Sequence, residues 1–479
     1  MKKLIVLFFM LIGAVSFVTA KHYSLTWKKM NMVAPRLEQI GVVKTFTSKE
    51  LANPYWSVGC ETIDRKYAEF KNYKSYVGQL GIGMARIQSG WARCEKVKGE
   101  YDFAWLDEVV DGLCEQSVQP WVCLCYGNPL YGAKKGLNAA IFTDDETMEA
   151  WLRYVTAMVK RYKDRVKEWE IWNEPNGNKA NKPEIYAELL IRTAEAVRKA
   201  DPKAVIIGFG LVYMRTKYTQ DVLDILKKHK KIKLLDYVSF HPYYHNPDDA
   251  TMQIETLDRL VKSYDERIQL LQGECGCPSI LEFGHALKYH EWSEYSQAKW
   301  NMRRMANDFR MGIRTSVFTM VDLKYPNMLQ SFGLIRMNLH KKVIYKRPSF
   351  YGVQHMVNLL HKDRKSIGWI NDRVKVNTAR EISVAGIADT EGKTVGVMYW
   401  YSDRIPSDEL SWDQVEMVIK GLKLKNPVVV EPITGRVYAV KLPVGHTNEE
   451  RMKFTALPVW DSPMFIMERS AVPFDKVSR

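Results

Sequence analysis

The chain carries two different patterns of apolar and polar positions, and the pattern changes near residue 350. Between residues 50 and 325, short runs of β-branched and aromatic residues alternate with longer segments whose apolar residues recur every three to four positions. This alternation is typical of strand–helix units that build a parallel sheet. The eight predicted strands are 56–61, 83–89, 119–126, 166–173, 204–209, 237–243, 268–274 and 315–321.

Eight such units predict an α/β fold, a (β/α)8 TIM barrel. After Pro348, helical patterning is confined to 349–360, and short β-type runs follow, separated by Gly, Pro or polar clusters. We therefore expect a barrel domain over 21–350 and an all-β, sandwich-like domain over 351–479, with the first residues of the barrel domain as candidates for pairing with the β domain. The β-type runs are 382–386, 394–401, 415–419, 428–430, 437–440 and 464–467.

The N-terminal residues have the pattern of a signal peptide. Lys2 and Lys3 precede an apolar run over 4–15, and small residues follow where a signal peptidase would cut. The run is shorter than the ~20 apolar residues that a membrane span needs, and no comparable segment follows. We expect removal of 1–20, a mature chain that starts at Lys21, a secreted or periplasmic location and no stable membrane span.

The charge of the chain is strongly basic. The formal net charge is +15, or +13 without the two N-terminal lysines, and the sequence pI is about 9.2. A field of that sign attracts polyanions. Lys and Arg are scattered instead of clustered in one arm, so no nucleic acid partner is expected, whereas an acidic polysaccharide fits both the charge and the predicted export. The alternative that the charge only sets solubility stays open.

The seven cysteines do not form the dense framework of a small disulfide-stapled module. Two pairs, Cys123 with Cys125 and Cys275 with Cys277, lie in predicted buried strands, where small apolar cysteines are common. A four-thiolate metal site is therefore not expected. Neither a Gly-rich phosphate loop nor a His cluster is present in the sequence, so no organic cofactor is predicted. The oligomeric state is left open.

Polar residues accumulate where the predicted strands end. In a barrel, the carboxyl ends of all strands face one shared bowl, which is where reactive groups meet. Glu174 follows the fourth strand and Glu274 ends the seventh, so two acids are expected across one rim. The other strand-end candidates, predicted to bind substrate, are Arg86, Trp91, Asn128, Asn173, His241 and Tyr243.

Two carboxylates on separate strand ends are what cleavage of a glycosidic bond requires. One group must stay protonated to donate to the leaving oxygen, and the other must stay ionised to attack the anomeric carbon. Glu174, between Trp172 and Pro175, is the predicted acid/base. Glu274 is the predicted nucleophile, because Arg86 and the Tyr243 hydroxyl could stabilise its charged form. A separation of about 5 Å between the two acids is expected.

Each candidate that binds substrate has a structural alternative. Asn173 is expected to hydrogen-bond a sugar hydroxyl, and Trp91, in a loop, to stack on a pyranose face. His241 could instead be a core histidine, Asn128 a turn residue and Arg86 the partner of a core acid.

Over roughly residues 50–355 the sequence resembles glycoside hydrolase clan A, the retaining barrel glycosidases, and is most similar to the family 39 β-xylosidase group. The similarity rests on Asn173-Glu174-Pro175, on Glu274, on Arg86 in the second strand, and on His241 with Tyr243 in the sixth. It implies retaining hydrolysis of a β-glycosidic bond by double displacement, with a carbohydrate as partner.

The clan's tryptophan at the end of strand eight is replaced by Phe-Thr-Met-Val-Asp at 318–322. This departure keeps an alternative open, a carbohydrate-binding barrel without catalysis. Xylosides, glucuronides, galactosides and arabinosides all remain candidate substrates. Arg65 and Arg93, just beyond the first and second strands, favour recognition of an acidic sugar.

Overall fold

The computed structural model describes residues 37–51, 53, 55–440, 447–448 and 451–477. Eight parallel strands close into a barrel in chain order, which confirms the predicted TIM barrel. The barrel strands are β2 (Trp56–Gly59), β3 (Met84–Gln88), β4 (Gln119–Leu124), β5 (Glu168–Ile171), β6 (Val205–Val212), β7 (Tyr237–His241), β8 (Gln269–Cys275) and β9 (Arg314–Val317), and they follow β1 (Gln39–Val43).

Helices cover the outside of the barrel. One of the two longest, Asp145–Tyr162, begins where the Asp144 side chain accepts a hydrogen bond from the Thr147 amide at 2.8 Å. Its first turn is acidic and its last turn basic, which suits the helix dipole. The helices are α1 (Ser48–Leu51), α2 (Lys74–Val77), α3 (Trp91–Cys94), α4 (Ala104–Cys114), α5 (Asp145–Tyr162), α6 (Pro183–Ala200), α7 (Thr216–Lys228), α8 (Thr251–Tyr264), α9 (Glu294–Arg310) and α10 (Pro348–Leu359).

Helix α9 differs from the others because it is buried along almost its whole length. It lies between the barrel and the C-terminal β structure, so its polar side chains need partners from both sides. Lys299 pairs with Asp461 at 2.7 Å, and Arg303 donates to the Arg404 carbonyl at 2.7 Å. These contacts join the two parts of the chain.

The region after α10 is all-β, as predicted. Between the barrel and α10 lie β10 (Leu323–Lys324), β11 (Leu329–Gln330), β12 (Ile335–Met337) and β13 (Val343–Lys346). The C-terminal strands are β14 (Lys365–Trp369), β15 (Val374–Val376), β16 (Ile382–Ala388), β17 (Thr394–Tyr401), β18 (Asp413–Lys420), β19 (Pro427–Glu431), β20 (Arg436–Ala439), β21 (Thr447–Asn448), β22 (Arg451–Val459), β23 (Met464–Glu468) and β24 (Phe474–Lys476). An eight-stranded antiparallel sheet has the order β14-β16-β17-β23-β19-β20-β1-β24, and a four-stranded sheet has the order β15-β18-β22-β21.

Strand β1 pairs with β20 and β24, and it belongs to the first residues of the barrel domain that were candidates for such pairing. Five C-terminal strands were not predicted, namely β14, β15, β21, β22 and β24. In the longest of them, β22, Pro458 near the end and the mixed apolar and polar residues hide the alternation. The predicted signal peptide, 1–20, lies outside the described residues. Among the described residues, no helix combines the length and apolarity of a membrane span.

Candidate active site

A cavity of about 360 Å³ opens at the carboxyl ends of the barrel strands. That volume is within the usual range of sites for small molecules. Glu174, Glu274, Asn173 and Tyr243 line it, so four of the predicted residues meet at one place.

The two predicted catalytic acids lie close together. One oxygen of Glu174, one oxygen of Glu274 and one ring nitrogen of His241 lie within 4.8 Å of one another. The Glu174 and Glu274 side chains are 14% and 13% exposed, so both can be reached from the cavity. Carboxyl groups stand about 5 to 5.5 Å apart in retaining glycosidases and about 6.5 to 9.5 Å apart in inverting ones. The observed spacing suits direct attack on a sugar.

A sharp turn brings Asn173 and Glu174 to the same cavity. Strict strand alternation would place the two side chains on opposite faces. Trp172 and Glu174 instead have φ values of 68° and 52°, in the left-handed region, and Pro175 begins a short 3-10 helix. The Glu174 amide donates to the carbonyl of Gly210 at 2.9 Å. Left-handed backbone at non-glycine residues costs about 1 to 2 kcal/mol each, so neighbouring contacts must hold this turn.

Arg86 lies at the centre of the charges beneath the cavity and is fully buried. It contacts Glu170 at 2.6 Å, Glu274 at 2.8 Å and Glu61 at 3.3 Å. It also donates to the Asn173 side-chain oxygen at 2.8 Å. Burial lowers the pKa of Arg86, but the carboxylates, Glu170 first, outweigh burial and hold that pKa well above its usual value. Arg86 therefore stays cationic and orients both Glu274 and Asn173.

Both oxygens of Glu274 have donors. The Tyr243 hydroxyl donates to Oε1 at 2.9 Å, and Arg86 donates to Oε2 at 2.8 Å. Hydrogen bonds and a cation stabilise the ionised form of a carboxyl group. Burial, followed by the charge of Glu274, raises the pKa of Tyr243 well above its usual value, so its hydroxyl keeps the proton that it donates.

Glu174 has a different partner. The His241 Nδ1 atom lies 3.0 Å from Glu174 Oε1. Burial lowers the pKa of His241, but Glu274 and Glu174 outweigh it and raise that pKa above its usual value. A protonated His241 donates to Glu174 when Glu174 is ionised, which suits a carboxyl group that must gain and lose a proton.

A third acid, Glu61, lines the cavity and was not predicted from the sequence. Burial raises its pKa to about 8, although Arg86 lowers it; the charge of Glu274 raises it further. Glu61 is therefore mostly protonated at neutral pH. It follows the first barrel strand directly, a strand-end position that could have singled it out. A Cβ on Gly59 would lie 2.0 Å from its carboxyl oxygen, so this arrangement requires glycine at 59.

The reactive atoms of Glu174, His241 and Glu274 also have the spacing of a three-ligand metal set. The guanidinium of Arg86 lies 2.8 Å from Glu274 and disfavours a second cation there. The arrangement is better suited to proton transfer and nucleophilic attack than to metal binding.

Residues 60–272 match the family model described as glycosyl hydrolases family 39. Over these residues the chain is similar to glycoside hydrolase family 39. The matched segment includes Arg86, Asn173, Glu174 and His241, and it ends two residues before Glu274. The resemblance to clan A, nearest to family 39, is thereby confirmed.

Solved structures similar to this chain share its fold over most of its length. A family 39 glycoside hydrolase from Bacteroides cellulosilyticus WH2 has a TM-score of 0.64 and 16% identity, over 89% of this chain and 83% of that one. A monomeric β-xylosidase from Caulobacter crescentus CB15 has a TM-score of 0.56 and 14% identity, over 90% of this chain and 98% of that one. At these identities the likeness shows the fold.

Curated relatives of the chain match shorter stretches. The aryl-phospho-β-D-glucosidase BglA of Bacillus subtilis is 22% identical over 208 residues, which is 40% of this chain and 41% of that protein. β-Glucosidase 42 of Arabidopsis thaliana is 28% identical over 116 residues, 23% of each chain. The chain thus matches about two fifths or less of the length of these two relatives.

Two residues predicted to contact substrate do not line the active-site cavity. Trp91 is completely buried, its ring stacks against Tyr131 with centroids 5.3 Å apart, and its indole donates to Glu95. A tryptophan in such an aromatic cluster stabilises the core. Asn128 is also buried; it donates to the Glu95 carbonyl at 2.9 Å and accepts from the Leu130 amide at 3.1 Å. It is the turn residue that the structural alternative described.

Arg86 and His241 reach the candidate site but lie behind its carboxylates. Both are fully buried, and their contacts are with Glu274 and Glu174, so they are positioning residues and not substrate contacts.

The missing strand-eight tryptophan has an aromatic counterpart. Phe318, the residue after β9, lines the cavity, and its ring centroid lies 5.7 Å from that of Phe332. Other cavity residues come from loops and strand ends, and among them the sequence pattern had singled out Arg65. They are Thr62, Arg65, Gln88, Tyr126, Leu137, Asn138, Gly177, Val212, Tyr213, His285, Ala286, Tyr325 and Gln330.

Proposed function

We propose that the protein is a retaining β-glycosidase that acts by double displacement. Glu274 is the nucleophile and Glu174 is the general acid/base. The observation that carries this proposal is the approach of the two carboxyl groups, with His241, to within 4.8 Å at the end of a family 39 barrel. Their partners differ in the way that the two roles require, since Glu274 is paired with Arg86 and Glu174 with His241.

In the first step, a Glu274 oxygen attacks the anomeric carbon. The bond from that carbon to the leaving oxygen breaks, and Glu174 gives its proton to the leaving oxygen. In the second step, the ionised Glu174 takes a proton from water, the water oxygen attacks the anomeric carbon, and the Glu274 carboxylate leaves. Arg86 and Tyr243 stabilise the negative charge of Glu274 before it attacks and again after it leaves the anomeric carbon.

Aryl β-glycosides and added azide test the two roles separately. In Glu274→Ala, azide attacks the intact β-glycoside directly and gives the α-glycosyl azide. In Glu174→Ala, azide instead attacks the covalent intermediate and gives the β-glycosyl azide. We also expect Glu174→Ala to lose most activity on poor leaving groups. Identical azide products from both variants contradict the assignment, and an inverted product from the unaltered enzyme contradicts double displacement.

The substrate is proposed from the same cavity. The similarity to a β-xylosidase structure makes aryl β-xylosides the first choice in a panel that also includes β-glucuronides, β-galactosides and α-arabinosides. Binding without turnover of any member would favour a carbohydrate-binding protein instead.

Export is a separate part of the proposal and rests on the basic and apolar pattern of residues 1–20. Expression of the full chain in a Gram-negative host, followed by fractionation and mass measurement, tests it. The expected product begins at Lys21 outside the cytoplasm. A full-length chain confined to the cytoplasm contradicts export and leaves the catalytic proposal untouched.

A further inference from the structure

A second cleft of about 360 Å³ adjoins the active-site cavity and is lined by several cationic residues. Arg65 and Tyr126 line both spaces. The active-site cavity contains the carboxyl groups of Glu61, Glu174 and Glu274. The second space, which we name the basic cleft, has one acidic residue, Asp64, and five cationic residues in its lining, which are Arg65, Lys66, Arg93, Lys96 and Lys135.

Two glycines allow the loops of the basic cleft to approach each other. Gly90 has φ +64°, and a Cβ there would lie 2.6 Å from the Cβ of Asp64. A Cβ on Gly127 would lie 2.7 Å from the carbonyl oxygen of Lys134. Both distances are too short for any other residue without movement of the neighbouring chain. The loops that carry Lys66 and Lys135 are therefore held against the barrel by close backbone packing.

The cations of the basic cleft differ in whether their charged groups already contact other residues. Arg93 donates to the Ile63 carbonyl, and its guanidinium lies 4.1 Å from the ring centroid of Trp105. Lys96 faces Asp102 at 3.7 Å. Lys66 and Lys135 are exposed, and neither ammonium group has an ion pair or hydrogen bond with any residue that the structure describes. These two lysines are available to an anion from outside.

Arg65 stands at the boundary between the two spaces. Its Nη2 donates to the Gln88 side chain, its Nε contacts Asp64 at 3.4 Å, and its guanidinium lies 5.3 Å from the Tyr126 ring centroid. These contacts fix the guanidinium while its Nη1 has no acceptor among residues 37–51, 53, 55–440, 447–448 and 451–477. The side chain is 13% exposed, so a ligand can reach it.

We infer that the basic cleft is a subsite for a sugar ring that carries a carboxylate or a sulfate, next to the ring whose glycosidic bond is cleaved. This inference rests on the proposed glycosidase function. Carboxylates and sulfates are the planar or tetrahedral oxyanions that guanidinium and ammonium groups bind well. The ionised Glu274 in the active-site cavity repels such a group, and the cations of the neighbouring cleft attract it, so the charge pattern places the anion one position away from the reacting bond.

Matched inhibitors test this subsite. The reporter is hydrolysis of an uncharged aryl β-glycoside, and the inhibitors are pairs that differ in one anionic group. Xylotriose is compared with xylotriose that carries one glucuronic acid, and lactose with lactose that carries one sulfate ester. We expect the anionic member of a pair to inhibit at a concentration at least about fivefold lower. The pair that shows the larger ratio identifies carboxylate or sulfate as the preferred group.

The variant Lys66→Gln with Lys135→Gln removes the two unpaired cations. Exposed ion pairs are individually weak, so the anionic preference should fall at least about twofold in this double variant. Because the preference is a ratio within one protein, a general change in activity cancels. Lys228→Gln, at the exposed end of α7 that points away from the active site, is the matched control and should leave the ratio unchanged. The preference should also fall as NaCl rises from 10 to 150 mM.

The outcomes separate this inference from the function on which it rests. Equal inhibition by both members of each pair, or a ratio that the double variant leaves unchanged, overturns the subsite while hydrolysis of the reporter continues. If no aryl glycoside is hydrolysed, the glycosidase proposal fails, and calorimetric titration with the same pairs still tests the cleft. A preference that falls equally in Lys228→Gln reports only the net charge of the protein and also overturns the subsite.

Discussion

The protonated state of Glu61 gives the sharpest stability prediction. Glu61 is buried beside Arg86 and Glu274, and its pKa is raised from 4.5 to about 8. A folded-state pKa above the unfolded value means that the native state holds the proton more tightly. The contribution of this bound proton to the free energy of unfolding is therefore fully present below about pH 4.5 and is lost as the pH rises through about 8. Glu61→Gln keeps the shape of the protonated acid and cannot ionise.

The size of the effect follows from the two pKa values. With 4.5 and about 8, the native enzyme should lose about 4 kcal/mol of its free energy of unfolding between pH 5 and pH 9 through this group. Relative to the unaltered enzyme, Glu61→Gln should gain up to about that amount over the same range.

Urea unfolding at pH 5, 7 and 9 measures this difference. Glu391→Gln, in the exposed turn between β16 and β17, is the matched control and should show the same pH dependence as the unaltered enzyme. The kcat/KM profile should also change, since ionised Glu61 repels the Glu274 carboxylate above pH 8. Parallel stability curves for the unaltered enzyme and Glu61→Gln would refute the protonated state.

Three further predictions concern the support of the site. Arg86→Met leaves the buried Glu170 and Glu274 without their cation and should lower the free energy of unfolding by about 3 to 5 kcal/mol, measured by urea unfolding at pH 7. Tyr243→Phe removes one hydrogen bond to Glu274, worth about 1.5 to 3 kcal/mol for a charged acceptor, and should lower kcat/KM on an aryl glycoside about 10- to 100-fold while the fold is retained by circular dichroism. Gly90→Ala places a methyl group 2.6 Å from the Asp64 Cβ at φ +64° and should lower the thermal midpoint, whereas a stable variant would show that the loop adapts.

Local patterns in the sequence predicted the positions that depend on strand order alone. The eight barrel strands follow from alternating strand and helix periodicity, and a parallel barrel brings all their carboxyl ends to one rim. Glu174, Glu274 and Tyr243 therefore could be expected to meet before any coordinates were known. Strand β22 was not predicted, because its residues show no clear alternation. It is a strand because it pairs with β18.

What the sequence determined by itself is the barrel, the rim on which the acids meet and the basic charge of the chain, because each depends on residue type and spacing. Only the tertiary structure decided which polar residues face the cavity. Trp91 packs in an aromatic cluster of the core and Asn128 lies in a turn, whereas Phe318 and Glu61 line the cavity. The left-handed turn at Glu174 and the clustering of Lys66 with Lys135 have the same physical reason. Side-chain direction at the end of a strand is set by contacts between distant segments, and those contacts leave no periodic signal in the sequence.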